Sequence, residues 1–579
     1  MFVGPDMFAR ILAEHSNLPD IWGEGLIFAF SGLDGTTNAA SGFVATAHNV
    51  NYDLLIHTPR RRILELRLSV PGTVRLATGD VLAVQTPNDW LVLTWTQWHT
   101  LLGTVPGGAA VALRFEDGQP VRTEDGVTLA QDPAAGDVVM LRQAPGRFAL
   151  SFGKNEQEAR TRSATAAALS IWEEAARRLE PYRDLPNPQS DEHERLLKKC
   201  FSVMKVNTLS AEGAIAQTWS TPDRVPHRDM WLWDSVFHSL AMNHVDPAVS
   251  WQLLKSVLAT QQPDGMIPHQ TSVAGRSSSI SQPPLLAWGV WQNFQATENT
   301  ENLAWALPRL EAHLEWARAN RDRNRNGLLE WFIEGNPQCR SGESGLDNSP
   351  RFDAAVELDA VDFSTFAAQD MLCVSRIAER RGQRRAAARW KARADELCDK
   401  VHALLWDESD GFYYDLDSSG QFSRVPAATG FLPMLLDGMP ADRVDRLIGH
   451  LMDEKMFCTA FPVPSVAASH PAFGTDMWRG PTWINLNYLI IHGLRRRGRS
   501  AEARWLADRT IHHVNRYYQR YGVVFEFYDA TDRVAPTRCD RKGPNRGTYD
   551  IRQKYDSIRD YHWSAALTAC LLWEPPDAV

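Results

Sequence analysis

Two rhythms of apolar and polar residues divide the chain. From residue 24 to about 152 apolar positions alternate in short runs. In RILELRLSV, residues 62–70, Leu64, Leu66, Leu68 and Val70 fall on one face while Glu65, Arg67 and Ser69 fall on the other, the period of two expected of a half-buried strand. Similar runs, DVLAVQT, WLVLTW, VALRF, VVMLRQ and RFALSFG, are separated by Gly, Pro and Asp turn residues. These predict an N-terminal antiparallel β-sandwich domain over residues 1–153. Residues 154–180 read as helix and run into EPYRDLPNPQSDEH, whose three prolines mark a linker, so 154–190 joins two domains.

From residue 191 to residue 579 the period becomes helical. Amphipathic segments fall near 192–206, 231–244, 247–262, 284–296, 302–320, 361–381, 384–405, 427–438, 441–453, 481–497, 500–519 and 562–573. Twelve such segments, with longer loops after alternate ones, suit six hairpins closed into an all-α (α/α)6 barrel whose inner helices end around a central funnel. No fixed-period repeat is present, which disfavours a solenoid. At 579 residues the chain exceeds the size at which one core stops growing, in keeping with a multidomain protein.

Composition narrows the function classes. The net charge is −9 and the Lys and Arg residues are dispersed, which leaves no footprint for nucleic acid. Seven cysteines, widely spaced and without a C-x-x-C pair, suit reduced thiols in a cytoplasm. The N-terminal residues lack a basic segment followed by a long apolar one, and no later stretch approaches 18 apolar residues, so neither export nor a membrane is expected. The 21 Trp residues are informative where they stand beside acids and amides, because indole faces stack on sugar rings; elsewhere they fill a core.

Candidate chemistry gathers in five segments. ESGLDNSPRFD, residues 343–353, carries Glu343, Asp347 and Asp353 among Gly and Pro residues that disfavour a helix, with Glu357 just beyond. A carboxyl on such a loop, partly desolvated, suits a general acid, although taken alone an acidic loop is more often simply solvated. In VVFEFYDATDR, residues 523–533, Glu526 stands between Phe525 and Phe527, a setting costly for a carboxylate unless it is hydrogen-bonded or working. That makes it a base candidate, or an acid on the outer face of a short strand. HRDMWLWDS (227–235) crowds Arg228, Trp231, Trp233 and Asp234 at a helix start, and DGMIPHQTSVAGRSSSISQPPLLAW (264–288) places His269, Gln282 and Trp288 around a Gly- and Ser-rich loop. DMWRGPTWINLNYL (476–489) sets Trp478, Arg479 and Trp483 near another helix start. Amides and charges beside indoles suit sugar hydroxyls.

Together these segments resemble the clan holding family 37 trehalases and family 63 glycosidases, including mannosylglycerate-hydrolase-like members. RDMWLWDS is similar to the trehalase R-E-x-Y-Y-W-D-S signature, with Asp229 for Glu, Trp231 for the first Tyr and Leu232 for the second. GMIPH followed by SQPP resembles G-F-I-P … S-Q-P-P, ESGLDNSPRFD resembles E-S-G-W-D-F-S-S-R, FEFYD resembles V-E-K-Y-D, and HWSAA (562–566) resembles F-G-W-S/T. The resemblance spans roughly residues 200–570. It implies an inverting, exo-acting glycoside hydrolase cleaving an α-linked glucose-type sugar from a small glycoside or oligosaccharide terminus, with Asp347 as general acid and Glu526 as general base. Around the sugar it places Arg228, Trp231, Trp233, Asp234, His269, Gln282, Trp288, Glu343, Trp483 and Trp563. HQTSVAGRS stands where trehalases carry N-G-N-R, and GPTWINLNYL has the family 63 form, so the resemblance leans to family 63.

Other readings stand beside this one. They are a trehalase, a mannosylglycerate or glucosylglycerate hydrolase, an α-rhamnosidase, a phosphorylase, against which Glu526 within FEFYD argues, and a catalytically silent sugar-binding protein, against which the retention of both carboxyls argues. The partner expected is a small carbohydrate substrate, with no cofactor required. One loop, DRNRNGLLEW (322–331), offers oxygen ligands on Asp322, Asn324, Asn326 and Glu330 around Gly327, which suits a structural calcium ion. It is not an EF-hand, since position twelve would be Ile333; a solvated helix-ending turn is the competing reading.

Overall fold

Alternation becomes strands and the helical period becomes helices, as seen in a computed structural model that describes residues 3–49, 51–58, 63–68, 71–107, 109–355, 357–545 and 555–575. The chain forms two compact units. One comprises Met1–Arg228, Asn515–Val524 and Arg559–Ala565, the other Asp229–Val514, Phe525–Ile558 and Ala566–Val579.

The first unit opens with a helix the alternation does not announce, α1 (Pro5–Glu14), started by its proline. Its strands among the described residues are β1 (Ile27–Phe28), β2 (Val44–Ala47), β3 (Leu54–His57), β4 (Ile63–Leu68), β5 (Thr73–Ala77), β6 (Val81–Gln85), β7 (Trp90–Gln97), β8 (Thr100–Thr104), β9 (Val111–Phe115), β10 (Arg122–Glu124), β11 (Val127–Gln131), β12 (Val138–Ala144) and β13 (Arg147–Gly153). They build two antiparallel sheets, ordered β1-β2-β3-β4-β9 and β10-β11-β12-β13-β8-β7-β6-β5. Phe43 stacks on Phe152 at 4.9 Å and Phe28 meets Trp95 at 6.3 Å, so aromatics from the two sheets share one core. Within β4, Leu66 and Leu68 are buried and Arg67 is exposed, as alternation requires; Ser69, Val70 and the Leu64 side chain lie outside the described residues. Glu65 departs from the pattern. It is buried, and Arg67 and Arg114 donate to it at 3.2 and 2.5 Å.

After α2 (Glu156–Ala167) and α3 (Ile171–Arg183), α4 (Glu194–Val206) packs Val206 against Ile27, Ala29 and Val44. The first unit therefore runs past the prolines of the linker, to Arg228.

The remaining helices are α5 (Leu232–Val245), α6 (Pro247–Leu258), α7 (Leu286–Thr297), α8 (Thr300–Asn320), α9 (Val361–Arg380), α10 (Arg384–Leu404), α11 (Ala441–Leu451), α12 (Ile484–Arg496), α13 (Ser500–Tyr521) and α14 (His562–Trp573). Residues 427–438 are a correction. Ala428–Leu435 winds as a 3₁₀ turn carrying Pro433, whose ring and missing N–H do not continue an α-helix. In the second unit α5, α7, α9, this 3₁₀ segment and α12 pack in succession. Apart from the second half of α7, they are buried on every face over most of their length: all residues of α5 from Leu232 to Met242 are buried, as are those of α12 from Ile484 to Ile491. Their partners are amphipathic. Along α10 the buried positions are Trp390, Ala394, Leu397, Cys398, Val401 and His402, one stripe at helical spacing that packs on α9. Asp246 and Asn299 cap α6 and α8 by accepting two backbone N–H bonds each. Among the described residues no helix is long and apolar enough to cross a membrane.

Candidate active site

The Trp- and acid-rich segments of the second unit are drawn together by short backbone bridges. Met230 and Trp231 pair with Thr271 and Gln270 as a two-residue antiparallel ladder, and Leu232 N–H donates to the His269 carbonyl at 3.0 Å. The Gln282 side-chain oxygen then accepts the Trp233 N–H at 3.2 Å, satisfying a donor at the start of α5. Asp234 is buried in the first turn of that helix, where the macrodipole favours an anion. Asp229 accepts from the Gln270 amide at 2.5 Å. His269 contacts Ser278 Oγ through Nδ1 at 2.9 Å, and burial pushes its imidazole down to about 4 against the opposing charges of Asp347 and Glu343, so it is neutral at pH 7.

The loop bearing Asp347 meets this ladder at Gly345. Its φ is 73°, and a β-carbon there would stand 2.4 Å from Cζ2 of Trp233, so the indole lies on a bare Cα. Glu343 holds the loop from below. Its two oxygens take Nε and Nη2 of Arg321, each at 2.8 Å, and accept the N–H groups of Ser281 (3.1 Å) and Phe332 (2.9 Å). That saturates a carboxylate with no exposed surface, so Glu343, expected beside the sugar, instead joins the Asp347 loop to the S-Q-P-P loop. Arg351 clamps the far end of the loop through bidentate contacts to Asp362 and Asp415, all buried. Arg479 does the same for Asp353 at 2.8 Å, and Trp478 N–H donates to Asn348 Oδ1 at 3.1 Å.

Glu526 lies on an extended segment locked by the Thr482–Tyr528 bridge and by Glu526 N–H donating to the Ile558 carbonyl at 2.8 Å. Its carboxylate is buried and receives a bidentate pair from Arg541, at 2.7 and 2.9 Å. The next residue, Lys542, contacts Asp347 Oδ2 through its ammonium. Consecutive residues, about 3.8 Å apart at their Cα atoms, thus each hold one of the two candidate carboxyls. Burial pushes the Lys542 ammonium down, but the charge and hydrogen bond of Asp347, with the Cys339 thiol, together leave it raised. Burial and the nearby Asp347 carboxylate push the Cys339 thiol up to about 12.

Trp483 is buried, stacked on Trp478 at 3.7 Å with its N–H given to the Met477 carbonyl, and its ring lies 5.0 Å from Phe527. Trp288 sits at the start of α7, where Asp370 accepts its N–H and that of Ala287, each at 2.9 Å; burial pushes Asp370 up to about 8. Its ring is edge-on to His492 at 6.1 Å, in a cluster with Tyr488 and Glu574. Arg228 and Trp563 belong to the first unit, where Arg228 lies against Gly42 and Trp563 against Tyr561.

In the loop over 322–331 a third carboxylate enters that spacing did not suggest. Asp359 receives the amides of Asn324 and Asn326, while Glu330 accepts from Arg323 and from Asn324 N–H, and Asp322 accepts from Gly327 N–H. Burial raises Asp359, as do the charges of Glu330 and Asp322, against the two amides. The three carboxylates do not each bring an oxygen within 4.8 Å of the others, so a hard divalent cation here would have to draw them together and turn the two amide oxygens inward.

All seven cysteines are free. Lys542, Arg541, Arg321 and Asp359 escaped the reading of the sequence, since a lone Arg-Lys pair in RCDRKGPN has no local signature.

The sequence model of the mannosylglycerate hydrolase MGH1-like glycoside hydrolase domain matches residues 226–564. An uncharacterized protein of Borreliella burgdorferi is 29% identical over 40% of this chain, and that match spans 47% of the relative's own length. Mannosylglycerate hydrolase MGH2 of Selaginella moellendorffii is 25% identical over 57% of this chain and 82% of its own. The crystal structure of a GH63 mannosylglycerate hydrolase from Thermus thermophilus in complex with glucose aligns with a TM-score of 0.52 and 24% identity, over 65% of this chain and 99% of that one, a likeness of fold.

Proposed function

This chain belongs to the mannosylglycerate hydrolase MGH1-like glycoside hydrolase domain family and is a glycosidase of the family 63 type; from that premise we propose an inverting, exo-acting hydrolysis of an α-linked glucose-type sugar within an (α/α)6 barrel. Asp347 gives its proton to the glycosidic oxygen as the bond to the anomeric carbon breaks. Glu526 takes a proton from a water that attacks that carbon from the opposite face. Trp233, Asp234 and His269 line the sugar side, and Gln282 and Glu343 hold those loops. Protein groups supply both proton transfers, so no cofactor takes part; calcium held by the 322–331 loop with Asp359 would have a structural role. Free thiols suit a reducing compartment.

The observation that carries this reading is the pairing of Asp347 and Glu526, from loops far apart in sequence, with consecutive residues of one segment. A second reading, an acidic aglycone such as glycerate, is favoured by the Lys542 ammonium beside the proposed acid, on the side where the leaving group departs. Product analysis over trehalose, kojibiose, nigerose, glucosylglycerate and mannosylglycerate tests both. Release of a single hexose from at least one is expected, and no turnover of any would sink the reading.

A further inference from the structure

The oxygen of Asp347 that faces Lys542 raises a problem for catalysis. A general acid must bring a protonated oxygen to the leaving group, yet Oδ2 is occupied by an ammonium. The charge of Asp347 acts as well on Cys339, His269 and Glu334. Buried His269 is neutral, and a thiol and a carboxyl carry no positive charge, so Lys542 is the cation that must give way.

Its surroundings say how. The backbone of Lys542 is fixed on both sides: its own N–H donates to Asp476 Oδ1 at 2.8 Å, and the preceding Arg541 is locked to Glu526. Its φ of 55° places it in the left-handed region, a turn geometry held by those anchors. The side chain is different. It is 28% exposed and hangs on a flexible four-carbon stem, so the ammonium sweeps an arc about a stationary Cα.

We propose that Lys542 is a swinging positioning residue that occupies the leaving-group side of Asp347 in the free enzyme and passes its ammonium to the aglycone when substrate binds. This rests on the reading of Asp347 as the acid. A neutral aglycone must displace the ammonium without offering it a full charge in return, and its apparent affinity is reduced by the fraction of enzyme so occupied. An aglycone bearing a carboxylate replaces the lost ion pair with a new one. Lys542 thereby sets which leaving groups are accepted, while the chemical step stays with the two carboxyls.

The test compares wild type, Lys542→Met and Lys542→Arg on two glucosides that differ in aglycone charge, trehalose and glucosylglycerate, with KM and kcat resolved and thermal melts confirming folding. For glucosylglycerate, Lys542→Met should raise KM about tenfold or more, the scale of one lost charge-assisted hydrogen bond, and Lys542→Arg should restore most of it. For trehalose, Lys542→Met should lower KM. Where wild type cleaves only one of the pair, that substrate decides. An unchanged KM in Lys542→Met, or a fall in kcat alone, overturns the proposal. Failure of the underlying reading looks different: Asp347→Asn would then keep its turnover whatever Lys542 does.

Discussion

Trp233 rests on the bare Cα of Gly345, with the indole Cζ2 only 2.4 Å from where a β-carbon would stand. The contact ties the W-D-S helix start to the loop of the proposed acid, and no other residue type fits both the space and the φ of 73°. Gly345→Ala should destabilise by about 1–3 kcal/mol from backbone strain alone, with the indole forced aside as well. Its melting midpoint and turnover should both fall. Wild-type values for both would show that the contact does not hold the site.

Asp347→Asn is nearly isosteric and keeps a polar partner for Lys542, so folding should be preserved. Without the proton for the leaving oxygen, turnover of an unactivated disaccharide should drop by about 10² to 10⁴. Near-normal turnover by a correctly folded variant would remove Asp347 from the mechanism.

Stereochemistry separates the two ways of using a carboxyl pair. An inverting enzyme keeps its carboxyls about 6.5 to 9.5 Å apart to admit a water, a retaining one about 5 to 5.5 Å. An α-linked substrate should release the β-sugar first. Proton NMR in the first minutes, before mutarotation, reads the anomer; an initial α-product contradicts the roles given to Glu526 and Asp347.

Glu343 distinguishes bracing from binding. Its carboxylate is saturated by Arg321, Ser281 and Phe332, so Glu343→Ala leaves a largely buried guanidinium without its partner. Losses of about 3–5 kcal/mol accompany such broken buried pairs. Denaturant unfolding should register that loss. A variant as stable as wild type that merely binds sugar weakly would restore Glu343 to the sugar's side.

The three carboxylates of the 322–359 region should respond to calcium. If the ion binds the folded chain alone, it raises the melting midpoint with concentration, and EDTA reverses the gain. Asp359→Asn should blunt the response without altering turnover. A midpoint indifferent to calcium and EDTA would mean that the Asn324 and Asn326 amides suffice to hold Asp359.

Much of the architecture was legible because burial imprints a local period. A helix packed on one side, such as α10, shows its stripe of Trp390, Leu397 and Val401, and a strand such as β9 shows alternation. Residues 428–435 were legible as an apolar element but not as a 3₁₀ turn, since one proline decided that. The linker prolines were legible, yet α4 still joined the first unit, because Val206 packs against strands more than 150 residues earlier.

By itself the sequence determined the succession of strands and helices, the segments in which acids stand beside indoles, and the glycosidase family, all of which rest on local period or on ordered motifs. Only the tertiary structure decided the partners: that Glu343 spends its charge on Arg321, that Asp359 joins the 322–331 loop, and that Arg541 and Lys542 divide Glu526 and Asp347 between them. Those pairings join residues 15 to 195 positions apart. Proximity at such separations is fixed by how whole elements pack, and a single ion pair leaves no periodic mark on the residues between.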